Sequence, residues 1–350
     1  MAVEDPAVKW LLESDDPSIR YLTLTEILDR PSDSKEVLTA KKQIPNGPMV
    51  KTLLSGQQAD GGFGVHPYQK WTGAHWRLVS LVELGIPPEF RPAVKATNLV
   101  LKWLLGEAHL SNVPKINGRY RRCASQEGNA LAVCSRLGLA EDLRVVKLAE
   151  SLAEWQWPDG GWNCDRKEDA HHSSFNESLS TLWGLIEYHR ATGDKNSLKT
   201  AEKAAEFFLK HRLFRSCRTG LEREPETFHS KTFRVVHLFT QLHYPLYWHC
   251  DILQELTILS RAGKLDDPRT KEALDIVEKK RGSDGLWRAD DYYWSMRRTL
   301  LTKTKMNVSN VEIVDWGRKG PNKMITLNAL RTLKAAGRIG FSGEAIQLSK

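Results

Sequence analysis

The chain has 350 residues, of which 41% are hydrophobic and 27% are charged, and its formal net charge is +8. These values are typical of a globular protein with a substantial core. No apolar run reaches the roughly 18 residues of a membrane helix, and the basic residues do not alternate with aromatics as in nucleic-acid modules. We therefore expect neither a transmembrane protein nor a nucleic-acid partner.

The predicted elements are almost all helices, because apolar residues recur at i, i+3 and i+4 while alternating strand patterns are rare. Along the chain, several predicted helices begin with a polar and aromatic cluster. These starts lie at 72–76, 123–129, 171–177, 247–251 and 324–328, with a weaker one at 17–21. Amphipathic helices are predicted between them, at 92–105, 140–156, 197–211 and 267–280.

One short pattern occurs three times, each time after a helical segment. The copies are Gln57–Gly64, Gln156–Trp162 and Lys280–Trp287, the last without the glutamine. The Asp-Gly-Gly core predicts a turn, since glycine tolerates positive φ and Asp can bond its own backbone. The Gln amide would then satisfy free groups at helix ends.

The regular alternation of clustered and amphipathic helices predicts about six helix pairs. A closed ring of six inner and six outer helices, an all-α α6/α6 toroid, accommodates them. We expect one domain over residues 1–350, with insertions near 214–229 and 292–316.

The repeated turns resemble a known family. Gln58–Phe63 and Gln156–Trp162 look like the QW repeats of squalene and oxidosqualene cyclases and of protein prenyltransferase β subunits. The resemblance covers roughly residues 35–337 and is closest to short, single-domain prenyltransferase-like members of that terpenoid cyclase superfamily. It implies an α6/α6 toroid with its site in the central cavity. The Asp-x-Asp-Asp acid of class II cyclases is absent, and the zinc-ligand spacing of the prenyltransferases is not reproduced.

Equivalent positions of the inner helices would meet at one mouth of a toroid, so the clusters supply the candidate site. A general acid or base needs a carboxyl or imidazole with a perturbed pKa. The candidates are Asp165 and His172 as the leading pair, with Glu127, Glu177, His249 and Asp251. Glu177 also fits a capping box with Ser174. Candidate substrate-binding residues are His75, Trp76, Asn129, Phe175, Trp248 and Asn328.

These residues predict acid–base chemistry, such as isomerisation, hydration or cyclisation, on a small apolar, isoprenoid-like molecule. Helix N-termini at the mouth, and the run Arg119, Arg121 and Arg122, could hold an anionic headgroup. Non-catalytic binding of a lipid or a partner protein, and carbohydrate chemistry in a polar cavity, remain alternatives. No phosphate loop, nucleophile elbow or dinucleotide fingerprint supports ATP, serine-hydrolase or NAD chemistry.

No cofactor is predicted outright, but zinc-dependent prenyl transfer is an alternative. Its ligands would come from Cys164, Asp165, His249 and Cys250, with His172 as a further ligand type. The five cysteines are odd in number and lack a C-x-x-C pair, and the N-terminus is acidic rather than signal-like. Reduced thiols in a cytoplasmic protein are therefore expected.

Overall fold

The computed structural model describes residues 5–216, 238–294 and 311–341. These residues are mostly helical, as predicted, and two short strands, Lys115–Ile116 and Arg119–Tyr120, form an antiparallel hairpin. No described helix has both the length and the apolar character to cross a membrane. The predicted insertions at 214–229 and 292–316 lie largely outside the described residues.

The described helices follow one another along the chain. In order they are α1 (Pro6–Leu12), α2 (Pro17–Leu22, continued by a π-helical turn, Thr23–Ile27), α3 (Lys35–Gln43), α4 (Pro48–Leu54), α5 (Ala74–Glu83), α6 (Arg91–Leu104), α7 (Glu107–Leu110), α8 (Ser125–Arg136), α9 (Leu143–Glu154), α10 (Phe175–Thr192), α11 (Lys195–Lys210), α12 (Ile252–Arg261), α13 (Lys271–Lys279) and α14 (Lys323–Ala335). Short 3-10 turns, Ile44–Asn46 and Pro268–Thr270, precede α4 and α13.

Burial divides these helices into two kinds. Helices α5, α8, α10, α12 and α14 are buried along most of their length, so polar side chains on them must find partners inside the protein. Helices α6, α9, α11 and α13 bury one face only, at i, i+3 and i+4 spacing. The buried helices begin close to the predicted clusters, and the one-faced helices lie within the predicted amphipathic ranges to within a few residues.

Polar N-caps set several of these helix starts. The carboxylate or hydroxyl of the capping residue accepts a hydrogen bond from the first turn at Asp142, Ser174 and Asp251, and the Asn322 amide oxygen does so for α14. These side chains satisfy backbone N–H groups that have no partner within the helix. Part of the predicted polar clusters at 171–177 and 247–251 is therefore explained by helix capping.

Helices α8 and α10 pack unusually close, because two glycines face each other. A Cβ on Gly184 would lie 2.3 Å from the carbonyl oxygen of Gly128, and one on Gly128 would lie 2.5 Å from Cα of Thr181. Only glycine fits at such distances. The N-terminal turns of α8 and α10 are thereby held side by side.

The repeated sequences form turns, as predicted, but their glutamines donate to the turn and to a neighbouring helix rather than to the end of the preceding helix. Gln156 donates from its side-chain amide to its own turn at Gly160 (2.8 Å) and to the Thr200 carbonyl of α11 (2.9 Å). Gln57, rather than Gln58, plays this part in the first copy, where it also reaches the Pro92 carbonyl of α6 (2.9 Å). Each glutamine therefore ties its turn to the next one-faced helix.

The third copy keeps the same contact with a different side chain. Arg281 donates to the Gly285 carbonyl (2.8 Å), and its guanidinium also forms two 2.7 Å bonds to the carboxylate of Asp5, the N-cap of α1. The lost glutamine is thus replaced by an arginine that reaches the start of the chain.

The last described helix lies against the first ones. Helix α14 packs on α1, α2 and the π-helical turn as well as on α12 and α13. Arg331 pairs with Glu26 across this contact at 2.9 Å. The two ends of the described chain therefore form one packed unit.

Candidate functional site

The N-terminal ends of α8, α10 and α12 meet, as the predicted clusters required. Glu177 in the first turn of α10 accepts hydrogen bonds from the backbone N–H (3.1 Å) and hydroxyl (2.8 Å) of Ser125, the first residue of α8. Its neighbour Asn176 accepts from the backbone N–H of Cys250, just before α12, at 3.2 Å. Residues far apart in sequence are thus joined in one polar cluster.

Two thiols lie against Glu177. The sulfur atoms of Cys123 and Cys164 and a carboxylate oxygen of Glu177 all lie within 4.8 Å of one another, and Cys164 Sγ is 3.6 Å from Glu177 Oε1. We call these three residues the thiol–carboxylate cluster. Cys123 and Cys164 are half-buried and unoxidised, whereas Glu177 is buried.

Glu177 does not complete the capping box that its spacing also allowed. Ser174 Oγ accepts from the Glu177 backbone N–H at 3.4 Å, which is half of that motif. The Ser174 N–H donates instead to the carbonyl of Trp162 at 2.8 Å, while the Glu177 carboxylate points to Ser125 and Cys164. The Glu177 carboxylate is therefore directed into the polar cluster rather than back to the start of its own helix.

Glu127, in the first turn of α8, lies beside this cluster. Its two carboxylate oxygens differ in their hydrogen-bond partners. Oε1 accepts from Nε (2.9 Å) and Nη2 (2.5 Å) of Arg122 and lies 3.0 Å from Nε2 of His109. Oε2 is buried and has no hydrogen-bond partner among the described residues. Burial raises the pKa of Glu127 to about 7, against the lowering effect of Arg122, and the charge of Glu177 raises it further.

His109 is a neutral partner of this carboxyl. Burial and the neighbouring charge of Arg122 lower the pKa of His109 to about 3. Its Nε2 also contacts Arg122. A protonated Nε2 donates to Glu127, whereas an unprotonated Nε2 accepts from Arg122, so the tautomer decides which of the two hydrogen bonds forms. Arg122 is thus committed to Glu127 and His109, while Arg121 donates to the Ala170 carbonyl and stacks over Trp157. Both guanidinium groups therefore have protein partners, and the anion clamp suggested by the arginine run stays a prediction.

Aromatic rings surround this end of the buried helices. Tyr68 packs 5.0 Å from Trp76 and 5.2 Å from Trp103, whose ring lies 4.8 Å from His109. A second group stacks Trp71 on Tyr247 at 4.3 Å. The polar cluster therefore lies in an aromatic wall that suits an apolar or cationic species.

Lys70 lies over a further aromatic ring, that of Trp248. Its ammonium nitrogen is 4.7 Å from the centre of the Trp248 ring, and burial lowers the pKa of Lys70 to about 8. His249 stacks between Trp248 (3.7 Å) and Tyr293 (3.5 Å). The predicted substrate-binding Trp248 is thus part of the wall, and His249 is packed into it.

Asp165 and His172, the leading acid–base pair from sequence, lie in the loop before α10. Asp165 is half-buried and accepts from the Lys167 backbone N–H at 3.0 Å, which closes a local turn. His172 is exposed and its ring lies 4.0 Å from that of His171. This loop is the more solvent-exposed part of the region, whereas Glu127 and Glu177 are buried.

Asp251 is buried and caps α12. Its two carboxylate oxygens accept from the backbone N–H groups of Gln254 and His243, each at 2.8 Å. Burial raises its pKa to about 7. The sulfur of Cys250 lies 3.2 Å from the amide oxygen of Asn176. The ligand set suggested by sequence is therefore not grouped within the described residues, because Cys164 meets Cys123 and Glu177 rather than Asp165, His249 and Cys250.

Other predicted binding residues belong to the packed interior. Phe175 is fully buried among aromatic rings that include Phe207 and Phe208. His75 is buried against Trp76, and burial lowers its pKa to about 3. Asn129 donates to the Tyr247 carbonyl at 3.4 Å, which links α8 to the segment before α12.

Asn328 lies in a different place, midway along α14. It lines a cavity of about 30 Å³ to which α5, α8, α10, α12, α14 and the π-helical turn all contribute. Arg136, the last residue of α8, lines it too, about 16 Å along the helix from Ser125, which binds Glu177. This volume holds a water molecule or two, not an isoprenoid.

Two of the arginines that line this small cavity form ion pairs. Arg261 pairs with Glu187 at 3.0 Å and Arg331 with Glu26 at 2.9 Å. Sequence analysis missed these residues because each sits in an ordinary amphipathic position, and only the packing of different helices brings them together. Cys123, in contrast, lay inside a recognised helix start but has no local spacing to Cys164 that marks a ligand pair.

Comparison with protein-family models finds no match for this chain, and comparison with curated proteins finds none either.

Proposed function

We propose that the chain closes into the α6/α6 toroid expected from its repeats, with α1 as the sixth outer helix. The repeated turns support this. Gly160 packs its backbone on Lys203 of α11, the next outer helix, and the equivalent Gly285 packs on Pro6 of α1. The Arg281–Asp5 bond makes the matching side-chain contact. Helix α1 thus takes the position that an outer helix takes at the other turns.

Within this ring, we propose acid–base chemistry on a small, apolar, unsaturated molecule of isoprenoid type. The observation that carries the proposal is the Glu127 carboxyl, with one oxygen held by Arg122 and the other buried without a partner among the described residues. A carboxyl with a pKa of about 7 is present in both protonation states near neutral pH, as a proton-transfer group requires. The proposal moves the leading role from Asp165 and His172 to Glu127.

The reaction needs no external reagent if it is an isomerisation. The proton on Glu127 Oε2 adds to one carbon of a C=C bond, whose π electrons form the new C–H bond and leave a carbocation on the other carbon. Aromatic faces such as Tyr68 and Trp103 stabilise that cation. Loss of a proton from the adjacent carbon to the Glu127 carboxylate then gives the shifted double bond and restores the acid.

Deuterium incorporation tests this proposal. The protein is incubated in D₂O with unsaturated isoprenoid hydrocarbons, alcohols and diphosphates, and products are analysed by mass spectrometry. We expect deuterium in substrate or product, and a loss of at least 100-fold in rate in Glu127→Gln, since general acid–base catalysis contributes about 10²–10⁴-fold. Glu107→Gln, an exposed carboxyl on α7, is the matched control and keeps the wild-type rate. The proposal fails if no substrate exchanges, or if Glu127→Gln exchanges as fast as the wild type.

A further inference from the structure

The thiol–carboxylate cluster has the composition and dimensions of a metal site. Its three donors come from separate segments: Cys123 precedes α8, Cys164 follows the second repeated turn, and Glu177 lies in the first turn of α10. In a tetrahedral zinc site with bonds of about 2.3 Å to sulfur and about 2.0 Å to oxygen, a sulfur and an oxygen ligand lie about 3.5 Å apart. The observed separation of Cys164 Sγ and Glu177 Oε1 is 3.6 Å.

The backbone places the two thiols side by side. The residues before the two cysteines are joined, because the Arg122 N–H donates to the Asn163 carbonyl at 3.0 Å. A further bond from the Ser174 N–H to the Trp162 carbonyl brings the loop that carries Cys164 to the start of α10. The sulfurs are therefore positioned by main-chain hydrogen bonds rather than by flexible loops.

The carboxylate of Glu177 is oriented in the same way. Ser125 holds Oε2 through its backbone N–H and its hydroxyl, which leaves Oε1 turned towards Cys164. Such outer hydrogen bonds to a ligand are the usual support of a metal site. Without a cation, the hydrogen bond to Cys123, burial and the charge of Glu177 all raise the pKa of the Cys164 thiol. A divalent cation would reverse this preference and stabilise the thiolates.

We propose that Cys123, Cys164 and Glu177 bind one divalent, thiolate-preferring ion, with zinc the best fit. Two thiolates and one carboxylate carry three negative charges, one more than a divalent ion neutralises, and the sulfur donors favour a borderline-soft metal over magnesium or calcium. The described residues supply three ligands, so the fourth position is open to water or to a ligand from solution. The inference does not depend on the acid–base function, because metal binding is measured without turnover.

Cobalt substitution tests the site directly. The reduced full-length protein is stripped with a chelator and titrated with Co²⁺ and, separately, with Zn²⁺. We expect one Co²⁺ per chain, with a thiolate-to-cobalt charge-transfer band in the near ultraviolet and intense visible bands of a tetrahedral ion, and displacement by Zn²⁺. Cys123→Ser, Cys164→Ser and Glu177→Gln should each weaken binding and diminish or shift these bands.

Two further variants separate a metal site from a structural cluster. Ser125→Ala removes a hydroxyl that orients Glu177 and should weaken Co²⁺ binding about 10- to 100-fold. Cys134→Ala removes a buried thiol elsewhere on α8 and should leave the spectrum unchanged. Circular dichroism reports whether each variant is folded. If a ligand variant misfolds, the zinc content of the wild-type protein, measured by mass spectrometry, still tests the site.

Two outcomes would overturn the inference. One is wild-type protein that is folded, has free thiols by colorimetric titration and binds neither Co²⁺ nor Zn²⁺. The other is a Cys123–Cys164 disulfide in the purified protein together with no metal binding after reduction, which would make the pair a redox couple instead.

Discussion

Glu127 shows how burial and partners act against each other on one side chain. Arg122 donates to one oxygen and favours the ionised form, while burial and the nearby Glu177 favour the protonated form. Burial has the larger effect, so the pKa is raised to about 7 from an ordinary value of 4.5. A carboxyl raised in this way lowers the stability of the folded protein as it ionises.

This raised pKa predicts a pH-dependent gain in stability for Glu127→Gln, which mimics the protonated acid. The folded state holds the proton more tightly than the unfolded chain, so the contribution is present below pH 4.5 and lost as pH rises through 7. Relative to wild type, the variant should gain about 2 kcal/mol in unfolding free energy between pH 5 and pH 8.

Urea denaturation of chelator-treated protein at the two pH values measures this difference. Arg122, His109 and Glu177 face the carboxyl in both proteins, and the low pKa of His109 keeps its folded-state titration outside this window. Glu107→Gln serves again as the exposed control. A difference between wild type and Glu127→Gln that does not change with pH would rule out the raised pKa.

The α8–α10 pair is the element that holds the candidate site together. Gly128 and Gly184 allow the two backbones to touch, and Glu177 can then reach Ser125 across the gap. Glycine lowers helix propensity, so its presence within both helices needs a packing reason. The close approach supplies that reason.

Gly184→Ala should therefore damage both stability and metal binding. The added methyl would lie 2.3 Å from the Gly128 carbonyl oxygen, so the helices must separate. Overpacking of this kind costs about 1–3 kcal/mol, which urea denaturation would detect. Cobalt affinity should fall as well, because Cys123 and Glu177 lie on opposite sides of this contact.

Gly193→Ala is the control without a steric clash. No neighbour lies within 4 Å of the added methyl there, so only the positive φ of Gly193 opposes the substitution. Wild-type cobalt affinity in Gly184→Ala would contradict the link between packing and site.

The whole molecule is joined through contacts between residues at opposite ends of the chain. Arg331 pairs with Glu26 and Arg281 with Asp5, and α14 packs on α1 and α2. In an open solenoid, terminal repeats contact one neighbour only, and their removal affects the nearest repeat. In the proposed closed ring, removal of the first helices exposes the last one.

A deletion of residues 1–27 tests this closure. Amide hydrogen exchange should accelerate in α14, about 300 residues away in sequence, because the face that packs on α2 becomes exposed. Helix α9, which packs on α8 and α11, serves as the internal control. Unchanged protection of α14 in a folded deletion variant would mean that the ring is not closed through α1 and α2.

The sequence alone predicted the helices, their starts and the repeated turns, because these depend on local properties: apolar spacing, capping residues and glycine at positive φ. It also indicated that the polar helix starts converge, since equivalent positions of the inner helices of a ring meet, and those at 123–129, 171–177 and 247–251 do lie together. Only the tertiary structure decided which side chains within these clusters meet. Cys123 and Cys164 lie 41 positions apart, and their pairing depends on a main-chain bond between Arg122 and Asn163. Burial raises the pKa of Glu127, whereas His172 is exposed to solvent. This difference in burial likewise arises from packing between helices, which no local pattern encodes.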